Sequence, residues 1–246
     1  MTQRLCKNIN SKHLSKIAVT QNNSKCQNCP INSSCLPLGL NQEERSNLAQ
    51  LIQNHSNVNK NQHLVQIGES FSKFYIVQKG TFKSYVINID GIEQINNFHF
   101  PGELLGIDGI YTQKHCMSIK ALENSSVCEI SFSIFLLLIA QIPGLQNRFF
   151  NIISYSYIRQ LQLSINSNAE TRFALFILNI FKRLSPKVGA NFQLIMSRED
   201  IGNYLGLATE TISRLFKIFV AKDILSVRNK QVKLNNFHAL QLLSRE

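Results

Sequence analysis

The stretch Ser197–Leu225 reads SREDIGNYLGLATETISRLFKIFVAKDIL, and its pattern predicts two helices joined by a sharp turn. Ser197 opens a capping-box-like S-R-E-D, in which Asp200 takes the third helical position. Gly206 supplies the turn, and we expect the second helix to begin near Thr209. A capped helix, a short glycine-bearing turn and a second helix together make a helix–turn–helix.

The second predicted helix has an apolar side and a polar side. The residues of its apolar side are Ile212, Leu215, Phe216 and Phe219. The residues of its polar side are Glu210, Ser213, Arg214 and Lys217. A recognition helix needs one side for packing and the other for hydrogen bonds in the DNA major groove. An ordinary amphipathic surface helix shows the same pattern, so this helix alone does not decide between the two.

The segments around this helix favour DNA binding. The sequence VRNKQVKLNN, which follows it, predicts a β-hairpin with a basic tip at Lys230. We expect Arg198 and Lys230 to contact phosphates, which position a protein on DNA without reading its sequence. Arginine can bond the O6 and N7 of one guanine, glutamate can accept from a cytosine amino group, and serine can bond either way. Thr209 and Thr211, near the start of the second helix, complete the predicted DNA-contacting set.

The charge of the chain supports a polyanionic partner. The 246 residues carry a net charge of +11, and 44% of them are hydrophobic, which is typical of a globular protein. Residues 1–149 hold 13 basic and 9 acidic residues, whereas residues 150–246 hold 13 and 6. The C-terminal part is therefore the more basic, as a DNA-binding domain would be.

No targeting or membrane segment is predicted. The first ten residues, MTQRLCKNIN, are polar and lack the apolar region of a secretory signal. The most apolar run, Ile134–Ala140, is far shorter than the roughly 20 residues that a membrane-spanning helix needs. We therefore expect a cytoplasmic protein, in which thiols stay reduced.

Three cysteines lie within ten residues near the N-terminus, in Cys26–Cys35, which reads CQNCPINSSC. Residues 1–40 around them are polar and read as a mostly irregular arm. A reducing environment disfavours a disulfide between these cysteines and favours metal binding or redox chemistry. Zinc ribbons more often use two CxxC knuckles, and only one is present, so the spacing is less typical of a zinc site. A thioredoxin-like enzyme would need a βαβ context, which the arm does not show.

The middle of the chain predicts a small antiparallel β-barrel or sandwich. Residues 41–55 suggest a short helix that Asn41 caps, and the pattern then changes to short strands over 63–132. Asp90-Gly91 lies between two of these strands and indicates a tight hairpin.

Helical spacing returns after the strands, over residues 144–166. An apolar stripe in this segment could pack on the barrel or pair with a second copy, and we favour the second copy. The stripe consists of Phe150, Ile153, Tyr157 and Leu161. The predicted units are an arm (1–40), a barrel (41–143), a dimerisation helix (144–167) and a winged helix–turn–helix (168–246).

This order of elements resembles the Crp/Fnr family of bacterial transcription regulators, and more closely its oxygen-sensing fumarate-and-nitrate-reduction branch. The resemblance covers nearly the whole chain from Cys26 onward. The segments that carry it are CQNCPINSSC, GTFKSYVINIDGIEQINNFHFPGELLG, SSVCEI and DIGNYLGLATETISRL. It implies an α+β chain with a cupin-like, cyclic-nucleotide-binding-like jelly roll and a C-terminal winged helix–turn–helix.

The resemblance also implies a cofactor, a [4Fe–4S] cluster that is labile to oxygen. In that branch three arm cysteines and one barrel cysteine hold it, and the matching positions are Cys26, Cys29, Cys35 and Cys128. Four thiolates are what such a cluster requires. The alternative is a regulator of the same fold that carries a structural zinc or no metal and answers another signal.

The implied partners are DNA, RNA polymerase and a second copy of the chain. Glu210, Ser213 and Arg214 would read a palindrome resembling TTGAT, a short spacer and ATCAA. The loop at Asp90-Gly91 matches a surface that touches RNA polymerase in the family. No enzymatic activity is expected.

Two absences in the sequence bear on function. The chain has no arginine between Arg45 and Arg148, so the barrel lacks the residue type that clamps a cyclic nucleotide phosphate in related proteins. We therefore expect no cyclic nucleotide ligand. It also has no acidic residue between Glu129 and Glu170, whereas the oxygen-sensing branch carries one on the dimerisation helix.

Overall fold

The computed structural model describes residues 29, 31, 35–36, 39–164, 168–184 and 191–244. Within these ranges the helices are α1 (Gln42–Leu51), α2 (Gly109–Thr112), α3 (Phe132–Ile139), α4 (Pro143–Ser164), α5 (Ala169–Leu184), α6 (Arg198–Leu205), α7 (Thr209–Ala221) and α8 (Phe237–Leu243). The first eight strands are β1 (Ile52–Val58), β2 (His63–Val65), β3 (Lys73–Lys79), β4 (Phe82–Ile87), β5 (Glu93–His99), β6 (Leu104–Leu105), β7 (Ser118–Ala121) and β8 (Ser125–Ser131). The C-terminal part adds β9 (Asn191–Gln193), β10 (Leu225–Arg228) and β11 (Gln231–Leu234). None of the described helices is both long and apolar enough to cross a bilayer.

Two antiparallel four-stranded sheets form the barrel, in the orders β1-β8-β3-β6 and β2-β7-β4-β5. Apolar side chains from both sheets meet between them, among them Val77, Phe82, Ile119 and Val127. The predicted α+β fold and antiparallel barrel are therefore confirmed. The Asp90-Gly91 hairpin is present, although its loop is five residues long, from the end of β4 to the start of β5.

The outer faces of the two sheets pack against different parts of the chain. On the first sheet, Cys128 and Ile130 of β8 join an apolar cluster with residues of the arm, α1, α3 and α4. On the second sheet, Tyr85 and Phe98 join the core of the C-terminal domain. The barrel thus lies between the cysteine-bearing segment and the C-terminal domain.

The sequence prediction of a helix over residues 41–55 is wrong at its end. α1 stops at Leu51, and the next residues form β1, which was not predicted. β1 pairs along almost its whole length with β8, where His55 lies opposite Cys128. The composition of IQNHSNV is polar, so this strand is held by its partner and not by its own propensity.

The chain after the barrel contains the helices that the sequence predicted. α4 matches the helix expected over residues 144–166, α5 follows it, and α6 and α7 form the helix–turn–helix. β10 and β11 form the expected hairpin around Asn229 and Lys230, and β9 pairs with β11 to complete a three-stranded sheet. Asn229 takes the left-handed backbone conformation that such a two-residue turn requires.

Gly80 joins β3 to β4 where the barrel leaves no room for a side chain. Its φ is +89°, and a Cβ would lie 2.9 Å from the Cα of Ser125 and closer still to its side chain. Gly68 has the same φ, but nothing lies within 4 Å of its Cβ position. A comparison of the same substitution at both glycines therefore distinguishes backbone strain from steric overlap.

We predict that Gly80→Ala lowers the free energy of unfolding by about 3 kcal/mol, since left-handed strain and overpacking act together. Gly68→Ala should lower it by only about 1 kcal/mol, because only the backbone term applies. Urea denaturation of both variants measures the difference. Equal losses would show that the contact with Ser125 does not constrain this turn.

Candidate DNA-reading surface and cysteine site

The first helix of the helix–turn–helix begins with a complete capping box. The Ser197 hydroxyl accepts from the Asp200 N–H at 2.9 Å, and the Asp200 carboxylate accepts from the Ser197 N–H at 3.1 Å. The helix ends at Gly206, whose φ of +63° gives the left-handed cap that was expected of a glycine there. A Cβ on Gly202 would lie 2.6 Å from the Leu207 carbonyl oxygen, so the turn also needs glycine inside α6.

The second helix, α7, has the two sides that the sequence predicted. All four residues of its apolar side are buried: Ile212, Leu215, Phe216 and Phe219. On its polar side Glu210, Arg214 and Lys217 are exposed, and Ser213 is half-buried. Thr209 is exposed and Thr211 half-buried in the first turn. The structure thus brings the predicted DNA-contacting residues of α7 to one end and side of the domain.

Arg198 is held differently from the other basic residues. Its guanidinium lies over the ring of Phe216, with Cζ 3.1 Å from the ring centroid. Burial lowers the pKa of Arg198 from its ordinary value. Arginine nevertheless stays charged at neutral pH, because its ordinary pKa is very high. A guanidinium that stacks by its face keeps N–H groups at its edge, so a phosphate contact remains compatible with this position.

The basic tip of the wing is close to the helix–turn–helix in the chain and in space. Lys230 donates to the carbonyl of Ile195 at 3.1 Å, just before the capped start of α6. Arg228, Lys230 and Lys233 are exposed. They form an exposed basic group on the strand pair that follows α7, as the sequence predicted.

The second candidate site lies on the opposite face of the barrel, where three cysteines share one apolar cluster. Cys35 is 8% exposed and Cys128 is 5% exposed, and Cys29 packs against the same cluster. Cys26 lies outside the described residues, so the fourth predicted thiol has no described position. No group of three His, Cys, Asp or Glu side chains in the described ranges is arranged to hold a single metal ion.

Sequence reasoning missed one neighbour of this cysteine site. The Nδ1 of His55 lies 3.4 Å from the Sγ of Cys128. The two residues are 73 positions apart, and they meet because β1 pairs with β8. The contact was not predicted because strand β1 was not predicted.

Both parts of the chain match families of known domains. Residues 55–141 match the cyclic nucleotide-binding domain, and residues 171–243 match the Crp-like helix-turn-helix domain. The first match covers most of the barrel, and the second covers the DNA-reading elements.

Similar proteins cover nearly the whole chain. An anaerobic regulatory protein of Aggregatibacter actinomycetemcomitans is 40% identical over 224 residues, which are 89% of this chain and 87% of the relative. The chain belongs to the Crp/Fnr family of transcription regulators. The fumarate and nitrate reduction regulatory protein of Yersinia pestis is 38% identical, over 89% of this chain and 90% of that protein.

Solved Crp/Fnr structures share the fold described above. FixK2 from Bradyrhizobium japonicum aligns with a TM-score of 0.69 at 27% identity, over 78% of this chain and 98% of that chain. A CooA mutant from Carboxydothermus hydrogenoformans aligns with a TM-score of 0.64 at 18% identity, which is evidence for the fold alone. As a Crp/Fnr regulator, this chain binds DNA through its helix–turn–helix and is not an enzyme.

Proposed function

We propose that this chain is a transcription regulator of anaerobic gene expression, whose dimerisation and promoter binding depend on an oxygen-labile [4Fe–4S] cluster. The observation that carries the proposal is that a barrel cysteine, Cys128, shares one apolar cluster with the arm cysteines Cys29 and Cys35. Relatives that cover most of the chain are named anaerobic regulatory proteins, which supports it.

The described thiols fit such a cluster. Cys29 and Cys35 approach the outer face of the β1-β8-β3-β6 sheet, and Cys128 projects from that face. Together with Cys26 they would supply the four thiolates that the cluster needs. Apolar surroundings restrict solvent at the site. When bound, the cluster supplies an oxygen-sensitive connection between the arm and β8.

Cysteine variants test this assignment, because the chain offers a matched control on the same barrel. Anaerobically purified wild type should show a broad band near about 400 nm that bleaches in air. Cys128→Ser should lose the band, since a serine hydroxyl at neutral pH does not replace the thiolate. Cys116→Ser should keep it, because Cys116 is exposed on another loop and donates to the Lys114 carbonyl.

Two outcomes would contradict the cluster assignment. A Cys128→Ser band as strong as that of wild type would remove Cys128 from the ligand set. A colourless wild type with one zinc per chain would favour the structural zinc alternative, because four thiolates also suit zinc.

We propose that the chain acts as a homodimer through α4. Of the predicted stripe, Phe150, Tyr157 and Leu161 are about half exposed, at 56%, 61% and 48%. Ile153, its fourth residue, packs against the apolar cluster on the barrel. The helix also packs on the barrel through Leu145 and Phe149. An apolar stripe at this spacing suits pairing with a second copy, and sedimentation of the purified chain tests it.

We also propose that the β4–β5 hairpin contacts RNA polymerase. Three isoleucines surround Asp90 and Gly91 at its tip, and each is strongly exposed: Ile87, Ile89 and Ile92. Exposed apolar groups at a loop tip are typical of a protein contact. Loss of transcription activation with intact DNA binding in Ile89→Asp would support this contact, whereas normal activation would contradict it.

The barrel matches a cyclic nucleotide-binding domain, yet we propose that it binds no cyclic nucleotide. No arginine occurs between Arg45 and Arg148. Apolar side chains such as Val77, Phe82, Ile119 and Val127 pack together between the sheets. Unchanged thermal stability in millimolar cyclic AMP would agree with this proposal.

We propose that Glu210, Ser213 and Arg214 read a palindrome of the form TTGAT, spacer, ATCAA, and that Thr209, Thr211, Lys217 and Arg198 contact its backbone. Exposed side chains on the polar side of α7 support these roles. The N-terminal part of a recognition helix is the part that reaches base edges.

Arg214 variants test the base-reading role. Arg214→Ala should weaken binding to the palindrome by about 1–3 kcal/mol, because the bidentate bond to guanine is lost. Arg214→Lys keeps the charge but not the bidentate guanidinium. It should therefore retain affinity for unrelated DNA and lose its preference for the palindrome. Anisotropy titrations with the palindrome and a scrambled duplex measure both effects. Equal weakening on both duplexes would mean that Arg214 contacts only phosphate.

A further inference from the structure

One carboxylate of the barrel meets two arginines from different helices. Glu103 lies in the loop between β5 and β6. Arg183, at the end of α5, donates to it from Nε at 2.7 Å and from Nη2 at 2.5 Å. Arg159 of α4 places Nη1 3.7 Å from the same carboxylate. The barrel, the proposed dimerisation helix and the DNA-binding domain therefore meet at a single side chain.

The two arginine side chains are more deeply buried than the carboxylate that compensates their charge. Both arginine side chains are only 6% exposed, whereas that of Glu103 is 26% exposed. Among the described residues, the buried Nε of Arg159 has no hydrogen-bond partner. A buried charge is costly unless an opposite charge compensates it. Removal of the Glu103 charge would thus leave two buried cations without their counter-ion.

Glu103 stays ionised at neutral pH. Burial alone would raise its pKa, but the charge and hydrogen bonds of Arg183, with the charge of Arg159, hold the pKa below its ordinary value. His99 lies nearby, and burial lowers its pKa to about 3, so it adds no positive charge. The ion pair is therefore intact throughout the physiological pH range, because a carboxylate with a lowered pKa loses its charge only in acid.

Aromatic rings pack beside this ion pair. The Arg183 guanidinium lies over the Phe100 ring, 4.4 Å from its centroid. The Phe98 ring packs edge-on against Tyr204 of α6, with centroids 5.1 Å apart.

A second ion pair connects the same two domains. Lys83 of β4 binds Asp200 at 2.9 Å. Asp200 is the third residue of α6 and completes the capping box with Ser197, so the barrel contacts the helix–turn–helix at its first turn.

The docked arrangement leaves the DNA-reading side open. α5 and α6 face the barrel, while Glu210, Arg214 and Lys217 of α7 remain exposed. Arg159 is buried on α4, whereas Tyr157 and Leu161 on the same helix are exposed. A displacement of α4 would therefore move Arg159 relative to Glu103.

We propose that Glu103 is a positioning residue for DNA binding, which fixes the DNA-binding domain on the barrel through Arg183 and couples it to α4 through Arg159. Two recognition helices of a dimer must lie about one helical turn of DNA apart. A domain that is free to rotate must be ordered when it binds, which weakens affinity. This role goes beyond the proposed function and does not depend on the identity of the cofactor.

The test compares full-length variants in DNA binding and in hydrogen exchange. Glu103→Gln keeps the shape and removes the charge, and it should weaken binding to the palindrome about tenfold. Arg183→Met should have a similar effect, and the double variant should be no weaker than either single variant, because the two residues act as a unit. Exchange of α5 and α6 amides should become faster in each variant. Arg183→Lys, which keeps the charge without the fork, should fall between wild type and Arg183→Met.

Controls separate this role from general damage to the fold. Glu123→Gln makes the same substitution on the same barrel, where the carboxylate accepts from Thr81, and it should bind DNA as wild type does. Sedimentation should show the same oligomeric state for Glu103→Gln and wild type. Wild-type affinity and exchange in folded Glu103→Gln would overturn the proposal. Tighter DNA binding would also overturn it, since the contact would then hold the domain away from DNA. If wild type prefers no palindrome, the palindrome assignment fails, and the exchange measurement still tests Glu103.

Discussion

The pairing of β8 with both of its neighbours is the constraint on which the rest of the structure depends. β8 lies between β1 and β3, and successive side chains alternate between the two faces of the sheet. Val127 therefore enters the space between the sheets, and Cys128 projects towards the arm. A shift of one residue in this register would exchange the two, and the cysteine would leave the face where Cys29 and Cys35 lie.

The barrel connects two regions that are distant in the sequence. One sheet supports the cysteine-bearing segment on its outer face, and the other supports α5 and α6 through Phe98 and its neighbours. Interiors packed in this way respond to a local change by small, discrete shifts of whole elements. The proposed switch would use these contacts, because α4 packs on the cysteine side through Leu145 and carries Arg159 to the ion pair with Glu103.

Local signals made the DNA-reading half predictable from sequence. The cap at Ser197, the turn at Gly206 and the two-sided helix after it lie within one short stretch, and each has a specific residue requirement. The four predicted ligand positions rest on the family resemblance, and the structure describes three of these residues. Contacts between distant residues were not predictable: Glu103 and Arg183 are 80 positions apart, and His55 meets Cys128 only through the unpredicted strand β1. Such contacts depend on tertiary pairing, which overrides local propensity.

The most direct test of the account is the DNA affinity of one protein sample before and after exposure to air. Anaerobic protein titrated with the palindromic duplex should bind about tenfold or more tightly than the same protein after air, within the usual range of coupling between two sites. Anaerobic reconstitution with iron and sulfide should restore the affinity. The same affinity before and after air, in protein that contains the cluster, would contradict an oxygen-controlled regulator.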